Sequence, residues 1–317
     1  MARTAQAVVT FVVAVCLMFF LMRIMPGDPL ARLSEDRQLS AEQVANLRAH
    51  YGIDQPLTGQ FTTFISGILR ADLGVSIQYA RPVTSLIAER LGASLLLGGS
   101  VLLLNFTVGL WLGVWQAVRQ GRAADRWLGI VSLTGYAMPS FWLGLVLAWG
   151  FAVELRVLPA AGMHDPLLRD TGPLAAALDV ARHLVLPVVT LSAVSMAATM
   201  RYQRAAMLET LRADFVRTAR AKGLPERAVI WRHAWRNALF PVITLFGLWL
   251  PILVVGSVFV ESVFAWPGLG WLAADAVFAR DYPLLMGSAL LVSALVVGGS
   301  LLTDVAYLLL DPRVRHP

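Results

Sequence analysis

Charge is scarce in this sequence, and lysine is nearly absent. Asp, Glu, Lys and Arg make up 15% of the 317 residues, against about 25% in soluble domains. That shortage excludes an ordinary charge-coated globule. Cysteine is scarcer still. Cys16 stands alone, which excludes an internal disulfide and a cysteine-rich metal site. It lies in an apolar run, where a small buried hydrophobe is expected, and the bulky Val15 before it does not suit a lipidated cysteine. Lys222 is the single lysine, and Gly223 follows it. A phosphate-binding P-loop needs Gly-Lys and then Ser or Thr, so ATP hydrolysis is not expected of this chain. His50, His164, His183, His233 and His316 are scattered, without ligand spacing or a His-Glu-x-x-His pair. His183 falls at the edge of an apolar stretch, which favours an interfacial polar residue over a catalytic base. The chain is expected to be no enzyme and to hold no cofactor of its own.

Apolar residues are abundant, at 57%. Six stretches carry no Asp, Glu, Lys or Arg: Arg3 to Arg23, Arg90 to Arg119, Arg126 to Glu154, Arg182 to Arg201, Arg236 to Glu261 and Asp281 to Asp304. Each is at least 18 residues long between its bounding charges, enough for a helix to cross hydrocarbon. The next longest, Gln55 to Leu69, has 15 residues and includes Gln55, Thr58, Gln60, Thr62 and Thr63. The expectation is an all-α polytopic membrane protein with six transmembrane helices. An even number puts both termini on one side. Arg119, Arg122 and Arg126 follow span two, nine cations from Arg201 to Arg236 follow span four, and Arg313 and Arg315 close the chain. The opposite short loops hold Arg156, Arg169, Arg182 and Arg280. The positive-inside rule then makes the N- and C-termini cytoplasmic. The net charge of +6 follows from that topology. Membrane lipid is the expected surrounding, and nucleic acid is not an expected partner. The first apolar run is longer than a signal-peptide core and lacks a small-x-small cleavage site, so it is read as a retained span.

The chain divides into a first transmembrane helix (1–25), a periplasmic loop with short helices (26–90), a five-helix core (91–311) with a cytoplasmic loop at about 201–238, and a cytoplasmic tail (312–317). Pro26-Gly27-Asp28-Pro29 breaks the first helix. Ser40, followed by Glu42 and Gln43, opens a short capped helix that stops at Tyr51-Gly52. Leu155 to His183 is rich in Pro and Gly and is expected to be irregular. Pro139, Pro187 and Pro251 lie within spans, as kinks or as ordinary membrane-helix prolines. Gly109 and Gly113 permit close helix contact, although such pairs also arise by chance. Asn105, Ser192, Ser195 and Thr199 either line a polar translocation path or bond between helices. Asp304 is the one candidate for a proton site, but its place near the cytoplasmic end favours a structural acid that pairs with Arg313 or the loop. An ion-coupled secondary transporter stays open as an alternative, beside a non-transport membrane scaffold.

The cytoplasmic loop is the most informative segment. Met207, Leu211, Phe215 and Ala219 recur every four residues, predicting one apolar stripe on a helix. Gly223 suits the left-handed position past a helix end. Pro225 suits the start of the next helix, with Glu226 at its positive end. Physical chemistry alone leaves this either a solvated basic loop or a docking turn. Arg217-Thr218-Ala219, three residues and Gly223 resembles the EAA loop of ABC import permeases, whose pattern is Glu-Ala-Ala, three residues, Gly. Arg217 stands where that pattern has glutamate, and Thr218 where it has its first alanine, so the glutamate's own contact does not carry over. Residues 217–224 and 232–239 are similar to the dipeptide, oligopeptide and nickel branch. So are Met25 to Pro29, Tyr51 to Leu57, Asp72 to Ser76, Pro139 to Trp142, Val263 to Gly270, Arg280 to Pro283 and Leu310 to Arg313.

The resemblance implies a type I ABC importer permease fold in the bacterial inner membrane. It implies peptide, nickel, glutathione or another small solute as cargo, delivered by a periplasmic solute-binding protein. The implied partners are a second homologous permease and two ATPase subunits that carry ATP and magnesium. ATPase coupling would run through Arg217, Thr218, Ala219, Lys222, Gly223, Leu224, Pro225, Glu226 and Arg227. Ser262 to Ala274 is charge-free but too short to span. Its Trp266, Pro267, Gly268 and Gly270 are therefore expected in a re-entrant periplasmic gate.

Overall fold

The apolar stretches that the structure describes are helical. The computed structural model describes residues 2–24, 30, 34, 38–168, 172–239, 242, 249 and 258–310, with the side chains of 2–3, 23, 50, 168, 303–304 and 306–310 left out. The elements are α1 (Ala2–Ile24), α2 (Ala41–His50), α3 (Leu57–Leu69), α4 (Val83–Leu104), α5 (Leu110–Val118), α6 (Ala123–Ala137), α7 (Ser140–Ala148), α8 (Pro173–Leu211), α9 (Asp214–Ala221), α10 (Glu226–Ala228), α11 (Trp235–Ala238), α12 (Val258–Val263), α13 (Leu269–Ala279) and α14 (Tyr282–Leu310). Wider π turns continue the helix at Asn105–Gly109, Trp149–Glu154 and Val229–Ala234. Among the described residues there is no strand, and one isolated bridge joins Val75 to Pro82.

Among the described residues, four helices are long and apolar enough to cross a membrane: Thr4–Met22, Val83–Val118, Pro173–Leu211 and Tyr282–Leu302. The expected third span is not a straight rod. Ala123–Ala137 and Ser140–Glu154 meet at 103°. Pro139 has no amide hydrogen and drives Met138 out of the helical region, to φ −76° and ψ 133°. Pro187, by contrast, sits inside the unbroken α8. The expected fifth span, with Pro251, lies for the most part outside the described residues. So do the break at 26–29, the tail from 311 and the side chain of Asp304.

Two boundaries differ from the sequence reading. α4 starts at Val83, behind Pro82, inside the stretch read as loop. Its early charge, Glu89, faces outward and pairs with Arg81. α8 starts at Pro173, in the first helical turn where proline is tolerated. His183 therefore lies within a helix, buried one turn from Asp179, its Nδ1 2.9 Å from the Asp179 carbonyl. The short helix at Ser40 has the expected cap. Gln43 N–H donates to Ser40 Oγ, and Ser40 N–H donates to Gln43 Oε1 at 2.8 Å.

Large apolar side chains point outward along the spans, including Val9, Leu21, Leu103, Trp127 and Val131. Hydrocarbon suits such a surface and water does not. α1 is pinned to α3 through Phe19, whose ring lies 5.2 Å from Phe61 and 5.5 Å from Phe64. Gly109 and Gly113 do mark a close helix contact. A Cβ at Gly113 would fall 2.8 Å from the Met200 carbonyl oxygen and from Gln203 Cβ on α8.

Candidate coupling turn, gate and polar seam

α8 does not continue as one stripe into the loop. It ends at Leu211, and Ala213 is extended at φ −68° and ψ 150° before α9 begins. The break shifts the helical phase. Val216 and Ala219 face inward, and Phe215, expected on the buried stripe, is 46% exposed. Val216 and Ala219 pack with Val114 and Ala117 of α5, Met207 of α8, and Val229 and Ala234. The opposite face presents Arg217, Thr218, Lys222, Gly223, Leu224, Pro225, Glu226 and Arg227, all exposed. Ala219 is thus the one residue of the expected coupling set that is buried beneath it.

Gly223 takes the left-handed conformation, φ +73°. Its N–H reaches the Arg220 carbonyl at 2.9 Å, and Leu224 N–H reaches the Ala219 carbonyl at 3.4 Å. This pair of bonds closes a helix end in the Schellman manner. Pro225 precedes α10 instead of lying inside it. Across the turn, Arg220 holds Glu226 with two bonds, Nη2 to Oε1 at 2.8 Å and Nε to Oε2 at 3.2 Å. The bonded guanidinium holds the Glu226 carboxyl below the usual range.

Trp266, Pro267 and Gly268 lie in the tight connection between α12 and α13, and Gly270 lies in the first turn of α13. Trp266 is fully buried, and its Nε1–H donates to the Ala93 carbonyl at 3.0 Å. Leu269 N–H donates to Ser94 Oγ at 2.7 Å, so the turn is bonded to α4. Glu261 is also fully buried, and its Oε2 accepts Trp271 N–H at 2.8 Å at the start of α13. That carboxylate leaves no room beside Gly268. Glu261, Ala93 and Ser94 escaped the sequence reading. The signal available was an acid five residues before Trp-Pro-Gly.

The four residues expected along a path sit in one seam between α8 and the α4–α5 rod. Asn105 and Thr199 are fully buried, and Ser192 and Ser195 nearly so. Ser195 Oγ donates to the Leu191 carbonyl at 3.1 Å. The side chains of Asn105, Ser192, Thr199 and Gln203 have no hydrogen-bond partner among the described residues. Among the described residues they face packed helices.

A bonded corner outside the expected set ties the loop after α5 to α8. Arg204 Nε and Nη2 donate to the two oxygens of Asp125 at 2.9 and 2.8 Å. Gly121 N–H donates to Asp125 Oδ2 at 2.9 Å. The Arg204 bonds hold the Asp125 carboxyl below its ordinary value.

Comparison with known proteins adds the wider frame. Residues 109–316 match the family model described as binding-protein-dependent transport system inner membrane component. Residues 1–98 match the model of the N-terminal part of such membrane components. A putative peptide permease protein of Brucella ovis is 39% identical over 301 residues, covering 94% of this chain and 93% of the relative. The dipeptide transport system permease protein of Escherichia coli (strain K12) is 36% identical over 330 residues, covering 99% and 97%. The oligopeptide transport system permease protein of Bacillus subtilis (strain 168) is 36% identical over 315 residues, covering 99% and 98%.

Proposed function

The chain belongs to the family of binding-protein-dependent transport system inner membrane components, and from that premise we propose that it is the membrane-spanning subunit of an ATP-driven peptide importer. It is a multi-pass inner-membrane protein. The observation that carries the reading is the near-full-length similarity to peptide permeases, together with an exposed two-helix turn at Gly223 built on a packed base.

The remaining parts follow as one scheme. A periplasmic binding protein delivers cargo to the outer loops. ATP and magnesium sit on two partner ATPase subunits, since this sequence carries no Gly-Lys-Ser/Thr. A second permease of the same kind completes the pathway. The cation-rich loops and both termini face the cytoplasm. When the ATPases close, they move the turn from Arg217 to Arg227. The base under that turn includes α5 and α8 residues, so its displacement bears directly on two membrane-crossing helices. Such a switch works only if the ATPase binds the two membrane states with different affinity.

The test is a double substitution, Ala219→Asp with Gly223→Val. The first places a charge in the packed base, and the second a β-branched residue at positive φ. The variant is expected in the membrane at parental abundance with peptide uptake lost. Normal import by it removes this turn from the coupling role. The purified chain alone is expected to hydrolyse no ATP, and clear turnover overturns the assignment of the motor to another subunit.

A further inference from the structure

Two segments singled out in the sequence, Asp72-Leu73-Gly74-Val75-Ser76 and Arg280-Asp281-Tyr282-Pro283, have no role in the scheme above. The structure brings them together. Asp281 is fully buried at the corner between α13 and α14. Its Oδ2 accepts the Ser76 hydroxyl and Gln78 N–H, the latter at 3.0 Å. Its Oδ1 accepts Leu284 N–H at 3.2 Å, in the first turn of α14. Ser76 is itself fully buried and accepts Tyr79 N–H at 3.0 Å.

The 74–83 segment is a closed turn in its own right. Ser76 N–H reaches the Arg81 carbonyl at 2.9 Å, and Val83 N–H reaches the Gly74 carbonyl at 3.0 Å. A second bond fastens it to α13, Tyr79 Oη–H to Asp275 Oδ2 at 2.7 Å. The re-entrant turn stands at the other end of α13, bonded to α4 at Ala93 and Ser94. The backbone at Arg280 is left-handed, φ +55°, although no glycine stands there. A conformation that costs an arginine about 1–2 kcal/mol is retained where it turns Asp281 into the corner.

We infer that Asp281 is a positioning residue, which makes the 74–83 turn and the re-entrant helix α13 one moving body. A carboxylate taken out of water is retained only where donors meet its oxygens. Asp281 has such donors from the outer turn and from the start of α14 together. Separating the two leaves a buried charge without two of its three donors, so the bodies shift as a unit. A push on the outer loop then reaches the gate with no flexible link between. The gate's role rests on the importer reading; the mechanical unity does not.

A cross-link tests the unity. A Cβ at Gly74 would lie 3.9 Å from Pro283 Cβ, inside the roughly 3.5–4.5 Å that disulfides use. Gly74→Cys with Pro283→Cys, on a Cys16→Ala background, is compared oxidised and reduced in the assembled transporter. If the two parts move together, oxidation leaves peptide uptake within twofold of the reduced form. A tenfold loss on oxidation, recovered on reduction, overturns the inference. Gly74 has φ +80°, so the reduced form is the reference for any strain. A second measurement needs no transport. In the full chain in lipid discs, Asp281→Asn is expected to raise hydrogen exchange at least tenfold in both 74–83 and 268–279. Loosening of one segment alone, or of neither, also overturns it. If the parent complex imports no peptide, the importer reading falls while the exchange result still decides this one.

Discussion

An added Cβ at Gly268 would lie 2.5 Å from Glu261 Oε2, whereas at Gly223 it would meet nothing within 4 Å. The two glycines are required for different reasons. At Gly268 the backbone is extended, φ −96°, so space decides. Glu261 is fully buried and bonded to Trp271, and it has nowhere to swing. Gly268→Ala is expected to destabilise the chain by about 2 kcal/mol, as overpacking does. In a double-mutant cycle by thermal unfolding in detergent, adding Glu261→Ala should recover part of that loss. Purely additive losses would show that the clash is absent. At Gly223 conformation decides. Gly223→Ala is expected to cost about 1 kcal/mol, the penalty of the left-handed region. Gly223→Asn should cost less, because asparagine tolerates that region. Equal stability of all three in the same assay would refute the argument from φ.

Among the elements, the corner between the α5–α6 loop and α8 depends on one ion pair. Asp125 is buried, and the Arg204 side chain is 30% exposed. Removing the acid leaves the guanidinium, Gly121 N–H and a rigid turn without their acceptor. Asp125→Ala is therefore expected to destabilise by about 2 kcal/mol, in the range of bonds to charged groups. Asp125 titrates below its ordinary value because Arg204 is bonded to it. Its contribution is full above the ordinary carboxylate pKa of about 4 and is lost as pH falls through the depressed value. Unfolding midpoints between pH 5 and 8 should thus show no step from this residue, and a step there would contradict the pairing. Such ties are also what the sequence conceals. The caps at Ser40 and Gly223 follow from neighbours three or four residues apart, and both are legible. The elbow at Pro139 is half legible: a proline announces a defect, but tertiary packing sets the 103°. The shift from Phe215 to Val216 as the inward residue depends on a two-residue break that periodicity bridges over. Asp125 with Arg204, and Ser76 with Asp281, join residues far apart in the chain, and no local pattern encodes them.

For the whole molecule, the proposed orientation rests on the charge distribution. Nine cations lie between Arg201 and Arg236, and the exposed face of the 217–227 turn lies among them. Arg156 and Arg182 flank the segment that carries Leu167, on the other side of the expected spans. Cations resist transfer across the bilayer during insertion, so the rich side is expected in the cytoplasm. A thiol experiment reads this directly, because Cys16 is the single native cysteine. On a Cys16→Ala background, Leu167→Cys and Pro225→Cys each place a thiol at an exposed site, Leu167 being 90% exposed and Pro225 also on the surface. A membrane-impermeant maleimide applied to spheroplasts should label Leu167→Cys at once and Pro225→Cys only after the membrane is opened. The reverse pattern would place the turn in the periplasm, out of reach of any cytoplasmic ATPase, and the coupling role would fall with it. Labelling of both without permeabilisation would mean that the chain lacks a unique orientation. The expected asymmetry is what the proposed coupling role of the turn at Gly223 requires.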